Sequence, residues 1–338
     1  MADIFQKLLL LLSSIFGSKK PVVKPNEPPK IVSSQDEPAV PISPRVLVIN
    51  IDPLIDPPSG LRLFERQKWK GTDEMVDTFI ADILETSGGL VRYQVVQRIE
   101  ADQFPIKADG FLYTPQAYLD VLAGSGSSHT PDLLDYQDFL KRYDILNLVA
   151  SNQIDEVWAF GFPYAGFYES TMAGVGAFFC NSQPIANTAS CPRRFVIMGF
   201  SNERGPGEML HSFGHRAESI MQKVYARTSG EANLWQKFIR YDKTSPGKAQ
   251  VGTIHFAPNS EKDYDYTNTR VVPSACDDWY NFPNFKGEVK QVNSADWGSD
   301  IYSFTKWWLK HLPKVGGRIN GISNNWWQYI VDPNRVAV

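Results

Sequence analysis

Apolar and polar positions follow two periods along this chain, and each change of period marks an element. From Arg45 the run RVLVINI is continuously apolar and largely β-branched, which predicts a strand buried on both faces. IDEVWAFG (154–161) and RRFVIMGF (193–200) repeat that signature, and VRYQVVQRIEAD (91–102) adds an alternating strand. Between these runs the spacing shifts to the helical repeat. TDEMVDTFIADILET (72–86) predicts an amphipathic helix with Thr72 as its N-cap, and PDLLDYQDFLKRYDILNLVA (131–150) predicts a second. A long helix over 206–227 follows the third apolar strand, with Gly205-Pro206-Gly207 as its start signal. This β–α–β–α order predicts an α/β fold with a mainly parallel central sheet flanked by helices. After residue 245 the pattern becomes irregular and aromatic-rich, with a short strand VGTIHF and a Trp-rich helix over 301–312. This C-terminal extension is expected to pack on the same unit, so that 45–338 forms a single α/β domain.

The residues ahead of that domain bear on compartment. Lys7 precedes an apolar run from Leu8 to Phe16, which fits a secretory signal and is too short to cross a bilayer. Residues 1–18 therefore read as a signal peptide or an N-terminal hydrophobic segment. Residues 19–44, with seven prolines among interspersed charges, read as an extended linker. The expectation is an exported protein, extracellular or at the cell surface, with no stable membrane span. Cys180 and Cys191 flank a short polar loop, so an exported chain could close it as a disulfide. Three ordinary buried thiols, Cys276 included, is the alternative. The formal net charge of −3 gives no basic field for nucleic acid. Oligomeric state leaves no mark in the sequence.

Candidate chemistry concentrates in GEMLHSFGHRAES. Glu208, His211, His215 and Glu218 are spaced by three, four and three, which places them on one helical stripe. That stripe lies between an apolar arc (Leu210, Phe213, Gly214, Ala217, Ile220, Met221) and a wet arc expected to hold Ser212, Arg216, Ser219 and Lys223. Two histidines at i, i+4 can bind one ion, with Glu218 or Glu208 as a carboxylate ligand and His255 of VGTIHFAPNS as a further one. Zn²⁺ or another divalent cation would suit the set and would activate water. Ser212 stands where the zincin pattern His-Glu-x-x-His has its general base, so a base has to come from elsewhere, such as Glu169 or Glu203. Without a metal, Glu208, His215 and Glu218, with Glu169 and Glu203, could divide acid and base roles across a cleft. A structural ion-pair network using Arg204 or Arg216 is the third reading.

Ligands of open α/β sheets sit outside the carboxyl ends of the strands. Asn50 and Asp52 follow the first strand, Tyr164, Tyr168 and Glu169 the second, and Asn202, Glu203, Arg204 and Glu208 the third. Asp52, Tyr164, Tyr168, Asn202 and Arg204 are thus candidate contacts for a polymeric or small-molecule substrate. The pairs Trp307-Trp308 and Trp326-Trp327 suit core packing or, on a surface, a sugar groove. Neither a dinucleotide fingerprint, nor a P-loop, nor a Gly-x-Ser-x-Gly elbow is present.

Several longer strings, DEVWAFGFPYAGFYESTMAG, RRFVIMGFSNERGPGEML with GHRAES, HFAPNS with DYDY, and NNWWQYIVDPN, together resemble a family of mostly exported microbial α/β proteins for which no activity is established. The resemblance runs from Arg45 to Asn334 and implies export and a single domain. It also implies that position 211 is commonly Glu, where this chain has His211, leaving Glu208, His215 and Glu218 as the shared set. The expectation is an exported hydrolase of a glycan or peptide polymer, its water activated by a Glu/His cluster with or without a metal. The alternative is a non-catalytic glycan-binding or cell-surface module resting on the aromatic load.

Overall fold

The strands and helices below are those of a computed structural model, which describes residues 33–34 and 37–337. The apolar run expected as a signal peptide, and most of the first part of the Pro-rich linker, lie outside the described residues. The central sheet is built from β1 (Arg45–Ile51), β2 (Gln94–Ala101), β3 (Glu156–Gly161), β4 (Ser170–Ala173) and β5 (Phe195–Ser201). Its order is β2-β1-β3-β5-β4. β1 runs parallel to β2 and β3, β3 runs parallel to β5, and β4 alone is antiparallel, on the edge beside β5. β3 is buried at every position, as its unbroken apolar run requires, whereas the edge strand β2 is exposed at most of its positions. The sheet is therefore mainly parallel, and the carboxyl ends of β1, β3 and β5 share one rim.

Alternation along each inner strand divides the core between the two faces of the sheet. Val46 and Val48 of β1, with Trp158 and Met198, pack toward α1 (Thr72–Thr86) and the long helix. Leu47 and Ile49, with Val157 and Ile197, pack toward α2 (Pro115–Leu122), α3 (Tyr136–Arg142) and α4 (Ile145–Ala150). The long helix is α5 (Pro206–Val224). It is followed by α6 (Leu234–Phe238), α7 (Ile301–His311), β6 (Lys314–Ile319), β7 (Ile322–Asn325) and α8 (Trp327–Val331). No helix among the described residues is long and apolar enough to cross a membrane.

The structure differs from the sequence reading at several points. The helix expected over 131–150 is two helices, because Asp144 takes a left-handed conformation (φ 52°) between α3 and α4. Thr72 is the first residue of α1 rather than its cap, and its hydroxyl donates to Asn50 Oδ1 at 2.7 Å instead. VGTIHF forms a pinned loop, not a strand. Cys180, Cys191 and Cys276 are all free and buried, so the Cys180–Cys191 bridge is absent. The linker does not stay clear of the domain. Ser33–Ser34 pairs antiparallel with β6, Gly317 N–H donates to Glu37 O at 2.7 Å, and Ile42 bridges to Val91.

Arg216 is the largest departure. Instead of facing water it is fully buried, and its guanidinium grips Glu156 of β3 through Nη1 (3.1 Å) and Nη2 (2.8 Å) while Nε donates to Ile330 O of α8 (2.9 Å). Glu156 also accepts from Trp158 Nε1 at 2.6 Å. α5 thus has protein on the side expected to be wet, because α8 covers it. Its Glu/His stripe is left as the side that meets the chain from 252 to 266.

Candidate metal centre

Helical spacing brings His211 and His215 together, and a loop brings His255 to them. The three Nε2 atoms form a nearly equilateral triangle: His255 to His215 3.0 Å, His215 to His211 3.1 Å, His211 to His255 3.2 Å. The histidines come from positions 211, 215 and 255, so the loop must be held firmly for this to occur. Gly214, midway between the first two, has no side chain, and Ile254 fills that space. A Cβ at 214 would lie 2.4 Å from Ile254 Cδ1. Ile254 N–H donates to Glu218 Oε1 at 2.9 Å, and its carbonyl accepts from Tyr266 Oη at 2.7 Å. Thr253 Oγ1 accepts from the N–H of Phe256 at 3.1 Å, and Trp308 Nε1 donates to Gly252 O at 2.9 Å. The bend at Gly252 (φ 87°) is open only to glycine, since a Cβ there would meet Phe256 O at 2.2 Å.

Two of the rings are oriented from behind by carboxylates. Nδ1 of His215 lies 3.1 Å from Glu218 Oε2, and Nδ1 of His255 lies 2.9 Å from Asp263 Oδ1, a close contact that is not a well-aligned hydrogen bond. Such partners place the ring proton on Nδ1 and leave the lone pair on Nε2. The Nε2 lone pairs of His215 and His255 then face each other at 3.0 Å with no proton between them. One proton on His211 Nε2 could serve only one of the two. A proton taken up by His215 relieves one of these contacts, and a cation bound between the three nitrogens relieves all of them. Bonds of about 2.0–2.1 Å put tetrahedral ligand nitrogens about 3.3 Å apart, and three octahedral ones on a shared face about 2.9 Å apart. The observed edges fall between these values, so the residues present fit a divalent ion with one or more open positions.

The electrostatics agree. Burial, together with the charges of His215 and His255, pushes His211 down to about 2. Burial and His215 also lower His255. Burial would lower His215 as well, but the hydrogen bond and charge of Glu218 outweigh it and leave that imidazole raised. Glu208, one turn before His211, is half-buried and raised by burial, with Glu169 and Glu203 adding to the shift against Arg204 and His215. A half-buried carboxyl tuned upward is a common property of general acids and bases.

The remaining candidates are distributed as follows. Glu169 enters the same field, acting on His215, and its Oε2 accepts from Asn181 Nδ2 at 2.7 Å. Glu203 and Arg204 are exposed, 3.9 Å apart, and Arg204 stands 4.0 Å from Glu208. Tyr164 and Tyr168 are each 41% exposed on the loop before β4. Asn202 and Asp52 are turned into the fold. Asn202 Nδ2 donates to Thr72 Oγ1 (3.0 Å) and Lys70 O (2.8 Å), while Asp52 Oδ1 accepts from Phe64 N–H at 3.0 Å. Glu218 stands behind His215 rather than beside it. The DYDY run, Asp263–Tyr266, offers further carboxylates in the sequence; the structure places Asp263 behind His255 and Tyr264 beside the trio, neither of which spacing alone indicates. Trp69 and Trp307 are half-buried and every other tryptophan is buried, so the paired tryptophans form core rather than a groove.

A second cluster, Cys276, Asp277 and His311, has its ligand atoms similarly close. There the Lys290 ammonium, 2.8 Å from Asp277, already supplies the cation, and burial raises the Cys276 thiol to about 12. Comparison of the chain with protein-family models, with curated proteins and with solved structures gives no match.

Proposed function

We propose that this chain is a metal-dependent hydrolase, exported to the cell surface or beyond. In this reading His211, His215 and His255 hold Zn²⁺ or a similar divalent ion. The observation that carries the reading is the triangle of three Nε2 atoms, two of them on rings with a carboxylate close behind. Bound there, the ion would polarise a carbonyl and lower the pKa of water. That chemistry favours hydrolysis of an amide or ester, in a peptide or an acylated glycan, over cleavage of a glycosidic bond, which uses two carboxylates and no Lewis acid. Glu208, whose carboxyl burial makes more basic than an ordinary glutamate, takes the proton from water and passes it to the leaving group. Glu169, whose charge acts on His215, orients the attacking water. Tyr164, Tyr168 and Arg204, all solvent-exposed, are the side chains offered for contact with the substrate.

The test is an activity screen of the full chain on chromogenic esters, peptides and N-acylated sugars, with zinc, cobalt or manganese added. The expected pattern is activity that chelation removes, that added metal restores, and that is missing in His255→Ala. Hydrolysis that persists through both chelation and His255→Ala would end this reading.

A further inference from the structure

The trio leaves one neighbour unexplained. Tyr264 is bulky and non-glycine, yet it sits at φ 56°, in the left-handed region that such a side chain rarely adopts. Its backbone N–H is tied to His255 O at 3.2 Å, which fixes the strained residue against the ligand loop. Its ring lies 4.3 Å from that of His255, tilted 40°, and 5.5 Å from that of His211, tilted 29°. It therefore occupies the corner formed by two of the three imidazoles. Even so, half of its surface (50%) faces solvent, so burial does not repay the backbone strain. The hydroxyl makes no hydrogen bond to protein among the described residues, although the other tyrosine of the run, Tyr266, has its own bonded to Ile254 O. The charges of Glu169 and Glu208 act both on this phenol and on His215.

We propose that Tyr264 is a catalytic residue of this centre: its hydroxyl donates a hydrogen bond to the substrate oxygen on which negative charge develops, while its ring shields the open side of the imidazole trio from water. The inference rests on the metal-hydrolase reading above and adds the residue that completes it. A phenol is suited to the role because it keeps its proton through the neutral range and donates from a rigid ring. No covalent step is involved. The proton stays on the phenol, and only the acceptor's charge changes as the carbonyl becomes tetrahedral.

The experiment uses the full chain loaded with Co²⁺, whose visible spectrum reports on the centre, and acetohydroxamate as an oxyanion-bearing probe. Tyr264→Phe keeps the ring and removes the donor. The expected result is unchanged cobalt affinity with acetohydroxamate binding weakened by about tenfold to a hundredfold, the loss of one hydrogen bond to a charged group. Equal acetohydroxamate affinity in both proteins would overturn the proposal. So would a phenolate-to-metal charge-transfer band in the Cu²⁺-loaded protein that disappears in Tyr264→Phe, because Tyr264 would then be a ligand and not a donor. Failure of the wild-type chain to take up cobalt is a separate result. It would remove the metal reading itself, and this inference with it.

Discussion

At the residue scale, the centre depends on which ring nitrogen carries a proton. Glu218 and Asp263 hold the Nδ1 sides of His215 and His255, so Glu218→Gln and Asp263→Asn should each lower metal affinity by about tenfold to a hundredfold without unfolding the chain. A metal titration followed by competition with a chromogenic chelator measures this, and unchanged affinity in both variants would contradict it. The pH dependence has a definite sign. A metal can bind only to neutral imidazoles. His211 and His255 are depressed and already neutral at pH 7, whereas His215 is raised above the ordinary 6.5 by Glu218. As pH falls through that raised value, His215 takes up a proton and competes with the ion. Apparent affinity should therefore fall by about tenfold per pH unit below the bend, a one-proton slope rather than three. In Glu218→Gln the bend should move to lower pH.

At the element scale, the site depends on α5 being gripped from two sides. Toward the loop, Gly214 admits Ile254. Gly214→Ala would force a Cβ to within 2.4 Å of it, costing about 1–3 kcal/mol as overpacking and pushing His255 away from its partners. Denaturant melts and metal titrations on that variant should change together, and a loss of stability with metal affinity intact would show that the loop is not positioned this way. Toward the sheet, Arg216 and Glu156 form a fully buried bidentate pair. Glu156→Ala leaves the guanidinium charge unpaired and should cost about 3–5 kcal/mol of stability. Much of this scale was legible in the sequence. The continuous apolar, β-branched runs at 45–51, 156–161 and 195–201 read as buried strands, and the spacing of Glu208, His211, His215 and Glu218 reads as one helical stripe. The burial of Arg216 was not legible, because periodicity locates a polar face but says nothing about whether a distant segment such as α8 covers it. Nor was the loop at 252–257 legible, since the β-branched Val251, Thr253 and Ile254 suggest a strand, while Gly252 and the side-chain bonds of Thr253 and Glu218 decide for a turn.

At the scale of the whole molecule, the centre ties α5, which packs on the sheet, to the loop that carries His255 and Asp263. An ion bound there but not in the unfolded chain must stabilise the fold, by about 2.7 kcal/mol at a free concentration one hundred times Kd. Thermal melting should therefore shift upward with added zinc and downward with chelator. Sequence could place the residues that follow three strands on one rim, because parallel strands share their carboxyl ends. It could not show which of them turn inward: Asp52 and Asn202 are occupied in holding neighbouring segments together. The measurement that bears most directly on the account is the metal content of the purified full chain, by mass spectrometry, compared with that of His215→Ala and His255→Ala at equal folding. The account requires one equivalent of a divalent transition metal in the wild type and its loss in both variants. A folded wild-type chain that binds no such metal when zinc or cobalt is supplied, or variants that retain the full equivalent, would contradict it.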